Sequence, residues 1–238
     1  MVSKTSLAES ARAFRWHEIA EGLAARPDLL GVVDEKGRNW LHHCCRSPLC
    51  GREPADSIKT ADLLIGLGLG LDAPAFREGE WQATPLWFAV SWGRNLQLAE
   101  HLLKLGANPN FCLFAAIWNE DRAALRLLLD HGADIEEGAA RGDTPLMGAV
   151  AWSRFGPAEE LLLAGACPDF RNAKGATALH MMLKKGSSAE HFRLFARHGA
   201  RGDIPDAEGR TAVEILRRKR DPAFRAIADQ LATAPPSA

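Results

Sequence analysis

A short segment recurs along this chain at a nearly constant interval, and this repetition constrains the fold more than any other feature. The segment Thr84-Pro85-Leu86 returns as Thr144-Pro145-Leu146, and related segments begin at Thr177 and Thr211, so that the last three copies are 33 and 34 residues apart. A second block, apolar and ending in Gly-Ala, keeps a similar interval. Its four copies begin at Leu102, Leu128, Leu162 and Phe195. A fixed period of this length is typical of repeat proteins, whose units pack mainly against their neighbours.

The residue types in these blocks favour a pair of helices in each repeat. A threonine can cap the first helix with its side-chain oxygen, and the proline that follows occupies the first helical position, where it removes no needed hydrogen bond. A glycine follows the apolar block and supplies the left-handed turn that ends the second helix. These glycines are Gly106, Gly132, Gly165 and Gly199. We therefore predict helix, turn, helix and an extended finger in each repeat.

This pattern resembles the ankyrin repeat family, whose repeat of about 33 residues starts with Thr-Pro-Leu-His and ends with Leu-Leu-x-x-Gly-Ala-Asp. The resemblance covers roughly residues 34–232. It implies an all-α fold, a solenoid of stacked helix-turn-helix pairs with short hairpin fingers. Because the family mostly binds proteins, it also implies a non-catalytic scaffold that binds a partner through the concave face of its inner helices.

Six repeats can be assigned within residues 34–232. They begin near Asn39, Thr84, Phe111, Thr144, Thr177 and Thr211. We predict that residues 1–33 form N-terminal capping helices and that residues 233–238, which are rich in proline and serine, form a disordered tail.

Two repeats depart from the pattern. The first is degenerate at its helix start and carries extra residues before its closing glycine, which we assign to Gly70, so we predict an inserted loop. The third lacks its finger, because Gly106 lies five residues before Phe111, whereas the later glycines precede their threonines by twelve. The missing finger is either a notch through which a partner enters or a neutral deletion in a tolerant loop.

The inner-helix positions of the ankyrin pattern carry three tryptophans on consecutive repeats, and cations follow in the later repeats. The predicted partner-binding residues are Trp92, Trp118, Asn119, Trp152, Lys184, Lys185, Arg218 and Lys219. Exposed aromatic anchors flanked by cations are typical of binding hot spots, which predicts a partner with an apolar or aromatic segment followed by acidic residues. In the alternative, the indoles are buried between neighbouring inner helices. The other four tryptophans are interpreted as packing or capping residues: Trp16, Trp40, Trp81 and Trp87.

Charge is unevenly distributed, although the net formal charge is only -1. Residues up to Phe170 include 16 Lys and Arg against 23 Asp and Glu, whereas the remainder includes 13 against 7. The basic C-terminal repeats therefore raise the alternative of nucleic-acid or other anionic-ligand binding, with bases stacked on tryptophan. Because the net charge is near zero, we do not expect nucleic acid to be the partner.

No constellation of residues indicates catalysis. The chain has no G-x-S-x-G segment and no phosphate-binding loop motif, so we predict no catalytic residue, no cofactor and no enzyme. The segment His42-His43-Cys44-Cys45 contains zinc-ligand residue types, but adjacent cysteines on a helix point about 100° apart, so we predict no metal site. With no long apolar run and no secretory signal, we expect a cytoplasmic monomer with reduced cysteines and no membrane contact.

Overall fold

The computed structural model describes residues 2–78, 81–138 and 142–232, with residues 77 and 78 described by their backbone alone, and it is mostly helical. The predicted disordered tail at residues 233–238 lies outside these residues. The first seven helices are α1 (Lys4–Arg12), α2 (Trp16–Ala25), α3 (Trp40–Cys45), α4 (Pro54–Gly66), α5 (Pro85–Phe88), α6 (Leu96–Lys104) and α7 (Leu113–Trp118). The next seven are α8 (Arg122–Asp130), α9 (Pro145–Ala151), α10 (Phe155–Leu163), α11 (Ala178–Lys185), α12 (Ala189–Arg197), α13 (Ala212–Arg217) and α14 (Pro222–Ala232).

Three shorter elements complete the described backbone. Helix α5 continues directly into a π-helical turn, Ala89–Gly93, and a 3-10 turn spans Pro27–Leu29. The strands β1 (Arg77–Glu78) and β2 (Trp81–Gln82) pair antiparallel and form the finger that precedes the second repeat.

The chain divides into two compact units. The first unit comprises Met1–Asn119 and Asp130–Ala133, and the second comprises Glu120–Leu129 and Asp134–Ala238. In the first unit α1 packs against α3, α3 against α5, and α7 against the π-helical turn, while α2, α4 and α6 pack in a second row. In the second unit α11 packs against α9 and α13, and α12 against α10 and α14. Each unit therefore stacks helix pairs, as the fold class predicts.

Side-chain caps start the first helix of the repeats, as the threonine pattern predicts. The hydroxyl oxygen of Thr84 accepts the backbone N–H of Trp87 at 3.2 Å, and that of Thr144 accepts the N–H of Met147 at 3.3 Å. These bonds satisfy N–H groups that have no partner within the helix.

In two repeats a histidine extends this cap to the following repeat. His42 Nδ1 accepts the backbone N–H of Asn39 at 3.1 Å, so its other ring nitrogen, Nε2, carries the proton and donates to the carbonyl of Ala73 at 2.7 Å. His180 makes the same bond to the carbonyl of Arg210, at 3.1 Å. One imidazole thus fixes both its own helix start and the loop of the next repeat.

The left-handed glycines end the second helices, with one difference from the sequence prediction. Gly106, Gly132, Gly165 and Gly199 have φ between 77° and 95°, as expected. In the first repeat Gly68 has φ 104°, and Gly70 does not adopt a positive φ, so our assignment of Gly70 as the closing glycine is wrong. Helix α4 ends at Gly66, and Gly68 is the second residue after it.

Loop lengths differ where the sequence departs from the pattern. Residues 46–53 connect α3 to α4, whereas residues 152–154 and 186–188 make the equivalent connections in later repeats. Residues 105–112 connect α6 to α7, whereas residues 131–144 and 164–177 connect later repeats. The functional meaning of both departures and the exact repeat boundaries stay predictions.

Gly93 provides a test of how closely the first two repeats approach. A Cβ atom at this position would lie 2.1 Å from the carbonyl oxygen of Cys45, a backbone atom of α3 that has no freedom to move aside. We expect Gly93→Ala to lower the free energy of unfolding by at least about 2 kcal/mol, because the helices must separate to relieve the clash. Urea unfolding measures this change.

The matched control is Gly66→Ala, at a helical position where a new Cβ meets no atom within 4 Å. Alanine there should be neutral or stabilising by up to about 1 kcal/mol, since it favours the helix. Equal stabilities of the two variants would contradict the close packing of the first two repeats.

Candidate functional site

In the first unit, four large side chains mark the C-terminal ends of successive first helices. Arg12 is the last residue of α1, Arg46 caps the end of α3, Trp92 lies in the π-helical turn and Trp118 is the last residue of α7. These helices pack in this order, so we refer to the four residues as the helix-end row. Two cations are followed by two indoles.

Both tryptophans of the row are exposed. Trp92 has 46% and Trp118 has 56% of its surface accessible to solvent. The alternative that the inner-helix indoles are sealed between helices is therefore wrong for these two residues. Large apolar side chains gain no folding free energy from the fraction that remains in water, so about half of each indole does not contribute to the stability of the unit.

The π-helical turn explains how Trp92 reaches this position. In the fourth repeat the left-handed residue Ser153 follows the capping Thr144 by nine residues, whereas in the second repeat the left-handed Arg94 follows Thr84 by ten. The extra residue widens the last turn, which carries Trp92. Such π-helical turns are frequent at functional sites.

Trp92 is supported by an aromatic cluster, which we define as Phe76, Trp81, Trp87 and Phe88. The Trp92 ring lies 5.5 Å from that of Phe88 and 6.3 Å from that of Trp87. Trp81 and Trp87 meet edge to face at 5.1 Å, which agrees with their interpretation as packing residues. The Arg46 guanidinium lies 4.8 Å from the centroid of the Trp92 ring, a cation–π contact.

A second cluster, the arginine cluster, lies at the cationic end of the row. It comprises Arg12, Arg38 and Arg46 around His43 and Asp34. The Nε of Arg12 donates to His43 Nδ1 at 3.3 Å, and His43 Nε2 lies 3.4 Å from Asp34 Oδ2. Arg38 donates to the same carboxylate oxygen at 2.7 Å. The imidazole itself is buried, with 2% of its side chain exposed.

The protonation states in this cluster follow from burial and from the neighbouring cations. Burial, together with the charges of Arg12, Arg38 and Arg46, lowers the pKa of His43 to about 4, so it is neutral at pH 7. Burial opposes ionisation of Asp34, but hydrogen bonds from Arg38 and from the backbone of Lys36 outweigh it and lower the pKa to about 2. Burial and then repulsion from Arg38 and Arg12 lower the pKa of Arg46.

Asn119, another predicted partner-binding residue, makes internal hydrogen bonds. Its side-chain nitrogen donates to the carbonyl of Ser91 at 2.7 Å and to that of Val90 at 3.2 Å. The side chain therefore ties the end of α7 to the end of the preceding inner helix. A partner contact by Asn119 stays a prediction.

The second unit carries the other five predicted residues. Trp152 caps the end of α9 and is half-buried, while the remaining four are exposed: Lys184, Lys185, Arg218 and Lys219. Lys185 donates to the carbonyl of Ala151, and the ammonium of Lys219 lies 5.8 Å from the Phe224 ring centroid. Two of the four cations thus already have intramolecular contacts.

The sequence reasoning missed the arginine cluster and the aromatic support of Trp92. Arg12 and His43 are 31 residues apart, and no repeat period links a capping helix to the first repeat. One signal was available in the sequence. Arg46 occupies an inner-helix position of the first repeat, and Trp92 occupies an inner-helix position of the second repeat.

The zinc-type residues of the first repeat have structural roles. His42 caps α3, and Cys44 and Cys45 are buried, with burial raising the pKa of the Cys45 thiol. Within residues 2–78, 81–138 and 142–232, no group of three or more His, Cys, Asp and Glu side chains is arranged to hold a metal ion. In the same part of the chain, every helix is too short or too polar to cross a bilayer.

Comparisons with known sequences point to one kind of repeat. The family model described as Ankyrin repeat matches residues 81–112. Inversin from Mus musculus is 30% identical over 133 residues, which is 56% of this chain and 12% of Inversin. Inversin from Homo sapiens is 32% identical over 130 residues, which is 54% of this chain and again 12% of Inversin. The chain therefore matches only a small part of the length of these relatives.

Solved structures extend the similarity over nearly the whole chain. The ankyrin repeat domain of human ASB11 has a TM-score of 0.70 at 21% identity, covering 94% of this chain and 96% of that domain. The ankyrin repeat domain of Bcl-3, described as a unique member of the IkappaB protein family, has a TM-score of 0.75 at 20% identity, covering 94% and 97%. These comparisons show the fold that the sequence predicts.

The two neutral histidines of the first repeat predict how stability depends on pH. Burial lowers the pKa of both His42 and His43 to about 4, against about 6.5 in an unfolded chain. The unfolded state therefore binds more protons between these values, and stability falls as the pH is lowered through this window. We expect a loss of about 2 kcal/mol per histidine at pH 5 relative to pH 7.5, measured by urea unfolding.

The variant His43→Gln serves as the comparison, since glutamine does not titrate. Its stability should fall about half as much as that of the wild type over the same range. The carboxyl of Asp34 does not interfere, because its pKa of about 2 confines its effect to lower pH. An unchanged pH dependence in this variant would contradict a neutral His43.

Proposed function

We propose that this chain, which has the fold of ankyrin repeat domains, is a non-catalytic scaffold that binds another protein through the ends of its first helices. Ankyrin repeat domains generally mediate protein–protein interactions, and such scaffolds are generally not enzymes. The observation that carries the proposal is the exposure of Trp92 and Trp118 on neighbouring helices of the first unit. We further propose that it acts in the cytoplasm as a monomer.

The surroundings of Trp92 support a role in binding. The Trp92 ring contacts two rings of the aromatic cluster and the Arg46 guanidinium, so part of its side-chain freedom is already lost before a complex forms. Rigid tryptophans with adjacent arginine are the residue types most enriched at interface hot spots. The helix-end row thus combines apolar contact area with positive charge.

In the second unit we propose that Trp152 packs against apolar or aromatic side chains of a partner and that the four exposed cations contact its acidic residues. The alternative is an anionic polymer such as nucleic acid, bound through these cations. Salt distinguishes the two, because binding to a polyanion weakens steeply with salt concentration while contacts anchored by tryptophan do not. The net formal charge of the chain is only -1, which favours the protein partner over a polyanion.

The double variant Trp92→Ala/Trp118→Ala tests the proposal. Because about half of each tryptophan side chain is exposed, we expect the free energy of unfolding to fall by less than the about 3–5 kcal/mol per residue that truncation of a core tryptophan costs. Affinity for the protein captured by the wild-type chain should fall at least about a hundredfold, since hot-spot tryptophans each contribute about 2 kcal/mol or more. Affinity is measured by titration with the purified partner after its identification by capture on the wild type.

The matched control is Leu105→Ala, which removes an exposed apolar side chain of the same unit, 47% accessible, at the end of the second-row helix α6. This variant should bind the partner as the wild type does. If the control and the double variant lose affinity equally, the helix-end row is not the binding surface. A large fall in stability in the double variant would instead make the two indoles core residues.

A further inference from the structure

The arginine cluster brings together more positive charge than its single carboxylate neutralises. Arg38 is paired with Asp34, at 2.7 Å. Within the described residues, neither Arg12 nor Arg46 has a carboxylate oxygen within 4.0 Å; Arg12 donates to the neutral ring of His43, and Arg46 contacts the ring of Trp92. With His43 neutral and Asp34 ionised, the five groups carry a net charge of two positive units at pH 7.

This concentration of cations stands out against its surroundings. The first unit, residues 1–119 and 130–133, has 12 Lys and Arg against 14 Asp and Glu, so its average charge is slightly negative. The three guanidinium groups also repel one another, and this repulsion contributes to the lowered pKa of Arg46. A structure gains nothing from such repulsion in the free state, whereas an arriving anion would relieve it.

A phosphomonoester fits the excess charge better than a carboxylate does. It carries between about 1.5 and 2 negative charges at pH 7 and has three oxygen acceptors, whereas a carboxylate carries one charge and two oxygens. Planar guanidinium groups bind phosphate oxygens in pairs, and clusters of arginine are the common means of recognising phosphorylated peptides.

The position of Trp92 indicates what should flank that phosphate. The exposed Trp92 ring contacts Arg46, and Trp92 lies one helix further along the helix-end row than Arg46. Neighbouring helices lie about 8–10 Å apart, and a peptide in the polyproline II conformation, with three residues per turn and a rise of about 3.1 Å per residue, spans this distance in three residues and returns its side chain to the same face. An apolar side chain three residues from the phosphorylated one would therefore reach the indole.

From this geometry we infer that the arginine cluster binds a phosphorylated serine or threonine of the protein partner, and that an apolar residue three positions away packs on Trp92. The inference rests on the proposed function, since it specifies one segment of the partner. It assigns the charge recognition to Arg12, Arg38 and Arg46, and the apolar contact to Trp92.

Binding of four probes to the full chain tests the inference. The first is an acetylated, amidated tetrapeptide with phosphoserine first, leucine last and glycines between; two others have serine or glutamate first, and the fourth probe is inorganic phosphate. The readout is the ¹H–¹⁵N NMR signal of the Trp92 indole, assigned by its loss in Trp92→Phe. We expect a saturable shift with the phosphorylated peptide, binding at least fivefold weaker with glutamate and with inorganic phosphate, and no shift with serine.

Charge-removing variants locate the site. Arg12→Gln and Arg46→Gln should each weaken binding of the phosphorylated peptide at least tenfold, and Arg46→Lys, which keeps the charge but loses the planar group, should have a smaller effect. The matched control Arg26→Gln removes a cation of the same unit that is paired with Asp28. The affinity of this variant for the phosphorylated peptide should stay within twofold of that of the wild type. Each variant is folded if its NMR signals from residues away from the arginine cluster match those of the wild type.

Four results would overturn the inference. Equal binding of the phosphorylated and glutamate peptides would remove the preference for a phosphomonoester, and equal binding of inorganic phosphate would remove the role of a protein segment. Equal losses of affinity for the phosphorylated peptide in Arg26→Gln and Arg46→Gln would show nonspecific electrostatic attraction. A phosphorylated peptide that causes no shift of the Trp92 indole signal would show that the arginine cluster is not its binding site. Partner capture by the Trp92→Ala/Trp118→Ala variant is measured separately, so the proposed function can stand when this inference fails.

Discussion

The bond from a helix-start histidine to the next repeat is the constraint on which the arrangement of the site depends. His42 and His180 each use one ring nitrogen to cap their own helix and the other to hold a carbonyl of the following repeat. Because this tie sets the relative position of neighbouring repeats at their helix starts, the opposite ends of the same helices fall into register within each unit. In the first unit those ends carry the helix-end row. For His42, whose pKa is lowered to about 4 by burial, the pairing uses the neutral imidazole, so the first repeat is sensitive to acid.

Repetition made most of the fold predictable from the sequence. Thr84 and Thr144 cap their helices, and the glycines from Gly106 to Gly199 adopt the left-handed conformation, because these roles depend on local chemistry that recurs with the repeat. Prediction failed at Gly70, where two glycines lie two residues apart and only the three-dimensional end of α4 distinguishes them. Local pattern thus fixes which elements form, while a choice between equivalent residues is made by packing.

The site was less predictable than the fold, for a physical reason. The pattern identifies which positions lie at the ends of the first helices, where Trp92 and Trp118 do lie, but it does not report contacts between side chains of different repeats. The arginine cluster joins Arg12 of a capping helix to His43 of a degenerate repeat, and the π-helical turn that carries Trp92 inserts one residue where the pattern allows none. The proposed binding residues Arg12, Arg46 and Trp92 occur where the repeat is broken, as expected when a local rule is given up for another purpose.

Magnitudes indicate why indoles alone would make a weak surface. Covering the exposed halves of two tryptophans removes roughly 200 Å² from water, which contributes about 5 kcal/mol. The loss of translational and rotational freedom on association costs about 4–15 kcal/mol, so this gain is largely or wholly offset. A stable complex therefore needs further contacts of another kind in the same row. Arg12 and Arg46 are placed to supply them, because charge-assisted hydrogen bonds to an anion contribute about 1.5–3 kcal/mol each and depend on direction as apolar contact does not.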